Sequence, residues 1–247
     1  MGIVLAILGL SLGGLLKGAT GAGAPIIAVP VLAMYFNVPL AVTIFAMPNL
    51  LTNIWQSWSF RKHQLPRRFT ILFAGGGGIG AAIGTVLLAN LPGHALTLTV
   101  AFAVLAYLVF RVIHPGWMLR YPIAERLAFP TSTLAGALGG AAGVSAPISL
   151  TFLNAMKLER PQFIATISAF FAAMGAVQVP MLVAYGFMDW KRFILSVGAI
   201  VPVLAFMPVG SWLARRIPSA IFDKIILVLL AVVSLRLIAQ ALEQVPF

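Results

Sequence analysis

Apolar runs long enough to cross a bilayer recur along this chain, and that recurrence limits the fold more than any single motif. A spanning helix needs about 20 predominantly apolar residues. Five segments meet this requirement: 40–60, 69–90, 95–110, 161–185 and 193–214. A sixth, 221–235, is slightly short, but apolar residues continue around Arg236. Only 9% of the 247 residues are charged and 61% are hydrophobic, whereas soluble domains carry roughly 25% charged residues. So few charges cannot cover a water-soluble surface of this size, so the expected fold is an all-α polytopic membrane protein. The N-terminus resembles a cleavable leader only weakly, because it lacks a basic start and the apolar pattern runs far past it.

Two further segments follow a different grammar. Residues 1–16 are apolar but short and run into Lys17-Gly18-Ala19-Thr20-Gly21-Ala22-Gly23-Ala24-Pro25, followed by a short apolar stretch, 26–36. The same order returns at 127–138, then Gly139-Gly140-Ala141-Ala142-Gly143-Val144-Ser145-Ala146-Pro147, then 148–156. At ~1.5 Å per residue neither arm spans ~30 Å comfortably, so each unit reads as a long broken helix or a re-entrant hairpin of two half-helices. Gly21, Ala24, Pro25 and Ile26 align with Gly143, Ala146, Pro147 and Ile148 at a constant offset of 122. This is an internal repeat. It divides the chain into a first transmembrane repeat, 1–114, a cytoplasmic linker, 115–126, and a second repeat, 127–247.

Loop charges bear on how the repeats are oriented. Arg61, Lys62, Arg67 and Arg68 cluster in one loop, while the loops at 37–39 and 91–93 are uncharged. In the second half the basic loops are Lys157/Arg160 and Arg215/Arg216, the counterparts of the two uncharged ones. By the positive-inside rule the two repeats are then inverted, which requires each glycine-rich unit to enter and leave on one side. Lys191 and Arg192, in a loop that inversion places outside, point the other way and keep parallel repeats open.

The two glycine breaks carry the candidate chemistry. A helix broken at membrane depth leaves N–H and C=O groups that lipid cannot satisfy. Pro25 and Pro147 suit the first turn of the helix that follows. The free N–H groups there, with the helix dipole, suit an anion, and glycine allows close approach. Thr20, Gly21, Ala22, Gly23 and Ala24 at the first break, and Gly143, Val144, Ser145 and Ala146 at the second, are therefore candidate substrate-binding residues. If the breaks meet near the midplane, one anion sits between two helix N-termini. The alternative is tight helix packing, which is the preferred reading for Gly76, Gly80 and Gly84, spaced four apart.

Asn49, Thr52, Asn53 and Gln56 fall on one helix face beside Pro48, a position suited to a kink. Their amides and hydroxyl can donate to an oxyanion without carrying charge, or bond neighbouring helices together. Gln178 matches Gln56 at the repeat offset, but the rest of the stripe has no polar counterpart. The halves are therefore unequal. Lys17 is the one charge beside a glycine break, with no carboxylate near it in sequence. It reads either as an anion ligand or as a side chain snorkelling from a helix end.

Other chemistries find little support. The five acidic residues all lie in or near loops and segment ends, which disfavours a cation path built on buried carboxylates. His63, His94 and His114 form neither a metal-ligand pattern nor a triad. Ser145 lacks a nucleophile elbow, and cysteine is absent, which excludes thiol chemistry. No enzyme activity, metal or cofactor is expected. The net charge of +11 is spread among membrane-flanking positions rather than gathered in a run, so the expected partners are the lipid bilayer and a small anion, not nucleic acid. A homodimer is an open option.

The run from Gly13-Gly14-Leu15-Leu16 through Gly21-Ala22-Gly23-Ala24-Pro25-Ile26 to Val29-Pro30-Val31-Leu32 resembles the start of the TauE/SafE family of sulfite exporter-like permeases. Its echo at 139–153, Asp189-Trp190 after a helix, and the chain length fit the same resemblance. That likeness implies a secondary transporter, an exporter of sulfite, thiosulfate or organosulfonates in a bacterial inner membrane. An anion channel, or an uptake permease for another small oxyanion or carboxylate, is the alternative. The glycine-rich core typical of relatives reads Gly21-Ala22-Gly23 here, and Gly143-Val144-Ser145 in the second half, which bears on pocket width.

Overall fold

The structure is a computed structural model, and it describes residues 2–113, 117–214, 216, 228 and 231–239. Helices α1 (Gly2–Thr20) and α2 (Ala24–Tyr35) form the first broken unit. Then follow α3 (Val38–Ser59), α4 (Arg67–Asn90) and α5 (Gly93–Ile113). The second half opens with α6 (Tyr121–Ala142) and α7 (Ala146–Ala155), followed by α8 (Arg160–Ala184), α9 (Trp190–Gly198) and α10 (Ile200–Leu213). Residues 231–239 are also helical, and the described residues contain no strand. Five segments are long and apolar enough to cross a membrane: Val38–Ser59, Arg67–Asn90, Gly93–Phe110, Arg160–Ala184 and Trp190–Leu213. These are the five expected. Most of the sixth expected segment, with Arg215, Pro218, Asp223, Glu243 and His114, lies outside the described residues.

Local chemistry sets the helix starts. Asn37 accepts from the Leu40 N–H at 2.9 Å, Asp189 accepts from the Arg192 N–H, and Glu159 and Gln162 form a capping box. Proline occupies the first turn of α2, α3, α6, α7 and α8, where its missing N–H has no intrahelical partner to lose. Pro202 cannot donate to Gly198, which accounts for the interruption at Ala199 between α9 and α10. Pro48 sits inside the otherwise unbroken α3 and leaves the Ile44 carbonyl without its usual partner. Ser196 of α9 supplies one, donating to Ile44 O at 3.0 Å and accepting from Met47 N. A proline in one half is thus repaired by a hydroxyl from the other.

Both broken units are hairpins. Gly9 of α1 packs on Val31 of α2 and Gly13 packs on Ala28, so the chain folds back on itself. In the second unit the Leu119 N–H, just before α6, donates to Ala155 O at the end of α7. The first arms are longer than the sequence reading allowed. α1 has 19 residues and α6 has 22, or roughly 28 and 33 Å, so only α2 and α7 are half-length. The discrepancy in α6 comes from Pro122, Glu125 and Arg126 near its start, which break the apolar run without breaking the helix. Residues 121–126, read as linker, are already helical.

Each half packs a later helix, α4 or α10, against the hairpin of the other. α4 lies alongside α6 through Gly76 on Phe129 and Ser132, Gly80 on Thr133 and Ala137, and Gly84 on Ala137 and Ala141. α1 lies alongside α10 in the same way, through Gly14 on Val203 and Gly18 on Met207. Without a water-driven hydrophobic effect between helices in lipid, such close backbone approach is what holds them. The opposite face of α4 turns Ile71, Ile79 and Ile83 outward, each about half exposed. Small residues inside and large apolar ones outside is the reverse of a soluble helix, and it suits lipid. At the centre α3 and α8 run antiparallel, with Leu50 beside Gly175 and Gln56 beside Ser168.

Candidate functional site

The two breaks share a backbone shape but not a hydrogen-bond pattern. Gly21 and Gly143 have φ of 86° and 72°, left-handed values that favour glycine. At the first break nearly every group is satisfied by the protein. The Thr20 hydroxyl accepts from the N–H groups of Ala22 (3.3 Å) and Gly23 (3.1 Å). The freed carbonyl of Gly18 accepts from Ser211 of α10, and that of Ala19 from Arg160 of α8. At the second break the position matching Thr20 is Ala142, which has no hydroxyl to offer. The N–H groups of Val144, Ser145 and Ala146 donate to no other group among the described residues. The Ser145 hydroxyl is buried and without a partner.

A narrow cavity lies against that second break. Gly143 and Ser145 bound it on one side, Asn49 and Gln178 supply its polar walls, and Pro25, Phe45 and Met174 are among its apolar ones. Pro25, in the first turn of α2, shares this cavity with Gly143 and Ser145, but the two left-handed glycines pack on different neighbours. Gly21 packs on Ile164 in the first turns of α8, whereas Gly143 packs on Val29 and on Val42 near the start of α3. Of the expected residues, then, Asn49, Gly143, Ser145 and Gln178 come together. Thr20 and Gly21 to Ala24 belong to a separate, internally bonded turn.

Lys17 is buried, with 1% of its surface exposed, so it does not snorkel. Its amino group donates to Asn53 Oδ1 at 2.7 Å. Asn53 Nδ2 in turn donates to Asn49 Oδ1 at 2.9 Å and to Asn49 O at 2.7 Å. The direction of this chain is dictated by chemistry. An ammonium offers only donors, so the Asn53 oxygen must face it, the Asn53 amide must donate onward, and the Asn49 oxygen must accept. What Asn49 has left for the cavity is its own NH2. Among the described residues no carboxylate pairs with Lys17: the ion pairs are Arg68–Glu125 and Arg192–Asp189, both at 3.9 Å and at helix ends.

The rest of the polar stripe has other work. Thr52 donates to its own helix at Pro48 O. Gln56 accepts from Ser168 Oγ at 3.4 Å and so joins α3 to α8. Gln178 donates to Gly140 O at 3.3 Å, one of the carbonyls freed at the end of α6, which leaves its own oxygen as an acceptor on the cavity wall. Sequence reasoning missed the closing of the first break by Thr20, Ser211 and Arg160. The Thr20–Gly23 spacing signals such a turn, but the two partners from α10 and α8 lie 141 and more residues away. Among the described residues no group of His, Asp and Glu could hold a metal ion.

No curated protein and no solved structure matches the chain. A family model described as "Sulfite exporter TauE/SafE" matches residues 5–237, nearly its whole length. An integral membrane helix bundle with this match belongs to the TauE/SafE family of membrane transporters.

Proposed function

We propose that this chain is a secondary transporter of small sulfur-containing anions, such as sulfite, thiosulfate or an organosulfonate, working as an exporter in a bacterial inner membrane. The observation that carries the reading is the donor-rich wall of the buried cavity, oriented by Lys17 through Asn53 and Asn49. A buried ammonium without a carboxylate needs a negative partner, and a sulfur oxyanion offers acceptors and charge together. The family description supports the same class.

Movement follows from the architecture. We take the two halves to be inverted repeats, because their matching helices α3 and α8 run antiparallel and each hairpin returns to the side it left. In such a frame one half, or its hairpin, rocks against the other to expose the cavity alternately. Cysteines at Lys62 and Lys191, both exposed, should be labelled from opposite sides of the membrane; labelling from one side would reject inversion.

The function itself is tested by flux of sulfite, thiosulfate and taurine into proteoliposomes, with Asn49→Ala beside the wild type. Saturable flux with counterflow is expected for at least one anion, reduced in the variant. Flux without saturation or counterflow would indicate a channel, and absence of flux for all three would sink the substrate class.

A further inference from the structure

Duplication suggests two equivalent anion sites, but the hydrogen bonds argue against equivalence. We infer that the anion is held at the second break alone, and that the first break is a closed structural copy of it. The inference rests on the proposed transport of a small oxyanion and adds where that anion binds.

Three observations carry it. The Thr20 hydroxyl already takes the N–H groups of Ala22 and Gly23, so an anion there would have to displace an internal bond. At the second break Ala142 replaces that threonine, and the N–H groups of Val144, Ser145 and Ala146 stay free. Independently, the Ser145 hydroxyl is 1% exposed, has no partner, and lines the cavity. A buried hydroxyl left unsatisfied in a protein costs free energy unless something else fills it. Gly23 stands at the matching position of the first break, so only the second carries this hydroxyl.

The chemistry of the cup is specific. The Ser145 hydroxyl and the Asn49 amide can donate into it, the free backbone N–H groups of the break lie beside them, and the Gln178 oxygen accepts. Donors on one side suit the oxygens of a sulfite or sulfonate head, and the Gln178 oxygen suits a hydroxyl or bound water on the other. One buried ammonium at Lys17 balances one negative charge. Within the proposed substrate class these groups suit a singly charged sulfur oxyanion, with hydrogensulfite and alkyl sulfonates as its simplest members.

The test crosses two variants with two readouts in detergent-solubilised protein: anion affinity by calorimetry, and melting temperature without ligand. The probes are sulfite, thiosulfate and methanesulfonate. Ser145→Ala is expected to weaken binding by about tenfold or more, because a hydrogen bond to a charged group is lost. Its melting temperature should hold, since that hydroxyl bonds nothing in the free protein. Thr20→Val should do the reverse, leaving affinity within about twofold while lowering the melting temperature by about 3 °C or more, as two buried N–H groups lose their acceptor. Thr20→Val weakening the anion as much as Ser145→Ala, or Ser145→Ala binding normally, would overturn the assignment. Wild-type protein that binds a probe but moves none in proteoliposomes would refute transport and leave the assignment standing. Binding none of the three would refute both.

Discussion

Lys17→Met is the sharpest test of the buried charge, because the geometry predicts both its sign and its size. Methionine fills a similar volume and removes only the ammonium. Two amide groups and three hydrogen bonds separate Lys17 from an anion on Asn49, a path of roughly 12 Å. At an effective dielectric near 20 that separation is worth about 1.4 kcal/mol, or about tenfold in affinity. Loss of the donor also frees the Asn53 amide to turn over, which would present the wrong end of Asn49 to the anion. The expected result is therefore a KM for sulfite raised tenfold or more in proteoliposomes. Stability should be unchanged or higher, because a buried charge with only an amide partner is replaced by an apolar chain. A double-mutant cycle with Asn53→Leu separates the relay from general packing: the two effects on KM should be strongly non-additive. A Lys17→Met variant with wild-type KM and a lowered melting temperature would show that Lys17 serves the fold, and the relay argument would fail.

Three other outcomes follow from the packing. Gly80→Leu should yield little monodisperse protein, since a Cβ there meets the Thr133 carbonyl and the Ala137 nitrogen, at a cost of about 3 kcal/mol or more; Gly75→Leu, which meets nothing within 4 Å, should behave as wild type on size exclusion. Gly143→Ala should lower the melting temperature more than Gly186→Ala. Both bear a left-handed φ, costing about 1–2 kcal/mol each, but only the first also pushes into Val29 and Val42. Ser196→Ala should destabilise by about 1–3 kcal/mol in thermal unfolding, because it strips the Ile44 carbonyl of the donor that Pro48 removed from its own helix.

Much of this architecture is legible in one dimension. Crossing a bilayer demands about 20 apolar residues in a row, so the five spans stand out as composition. The breaks stand out as well, because Gly21 and Gly143 need a φ that glycine adopts freely and Pro25 and Pro147 restart a helix. The small-residue face of α4 is readable from its spacing of four. These are properties of a residue and its near neighbours along the chain.

What only the tertiary structure decided depends on groups far apart in sequence. Whether Lys17 snorkels or is buried turns on Asn53, 36 residues away. Which helix satisfies the carbonyls freed at each break is likewise a long-range matter: Ser211 and Arg160 do so at the first, and Gln178 at the second. Which end of Asn49 faces the cavity is fixed by an ammonium two hydrogen bonds removed. The sequence by itself determined that this is a membrane protein with two helices broken at glycines in a matching pattern, because lipid and backbone geometry act locally. Tertiary packing decided which buried polar groups are satisfied and which face the cavity, because Lys17, Gln56 and Gln178 each take their partner from another helix.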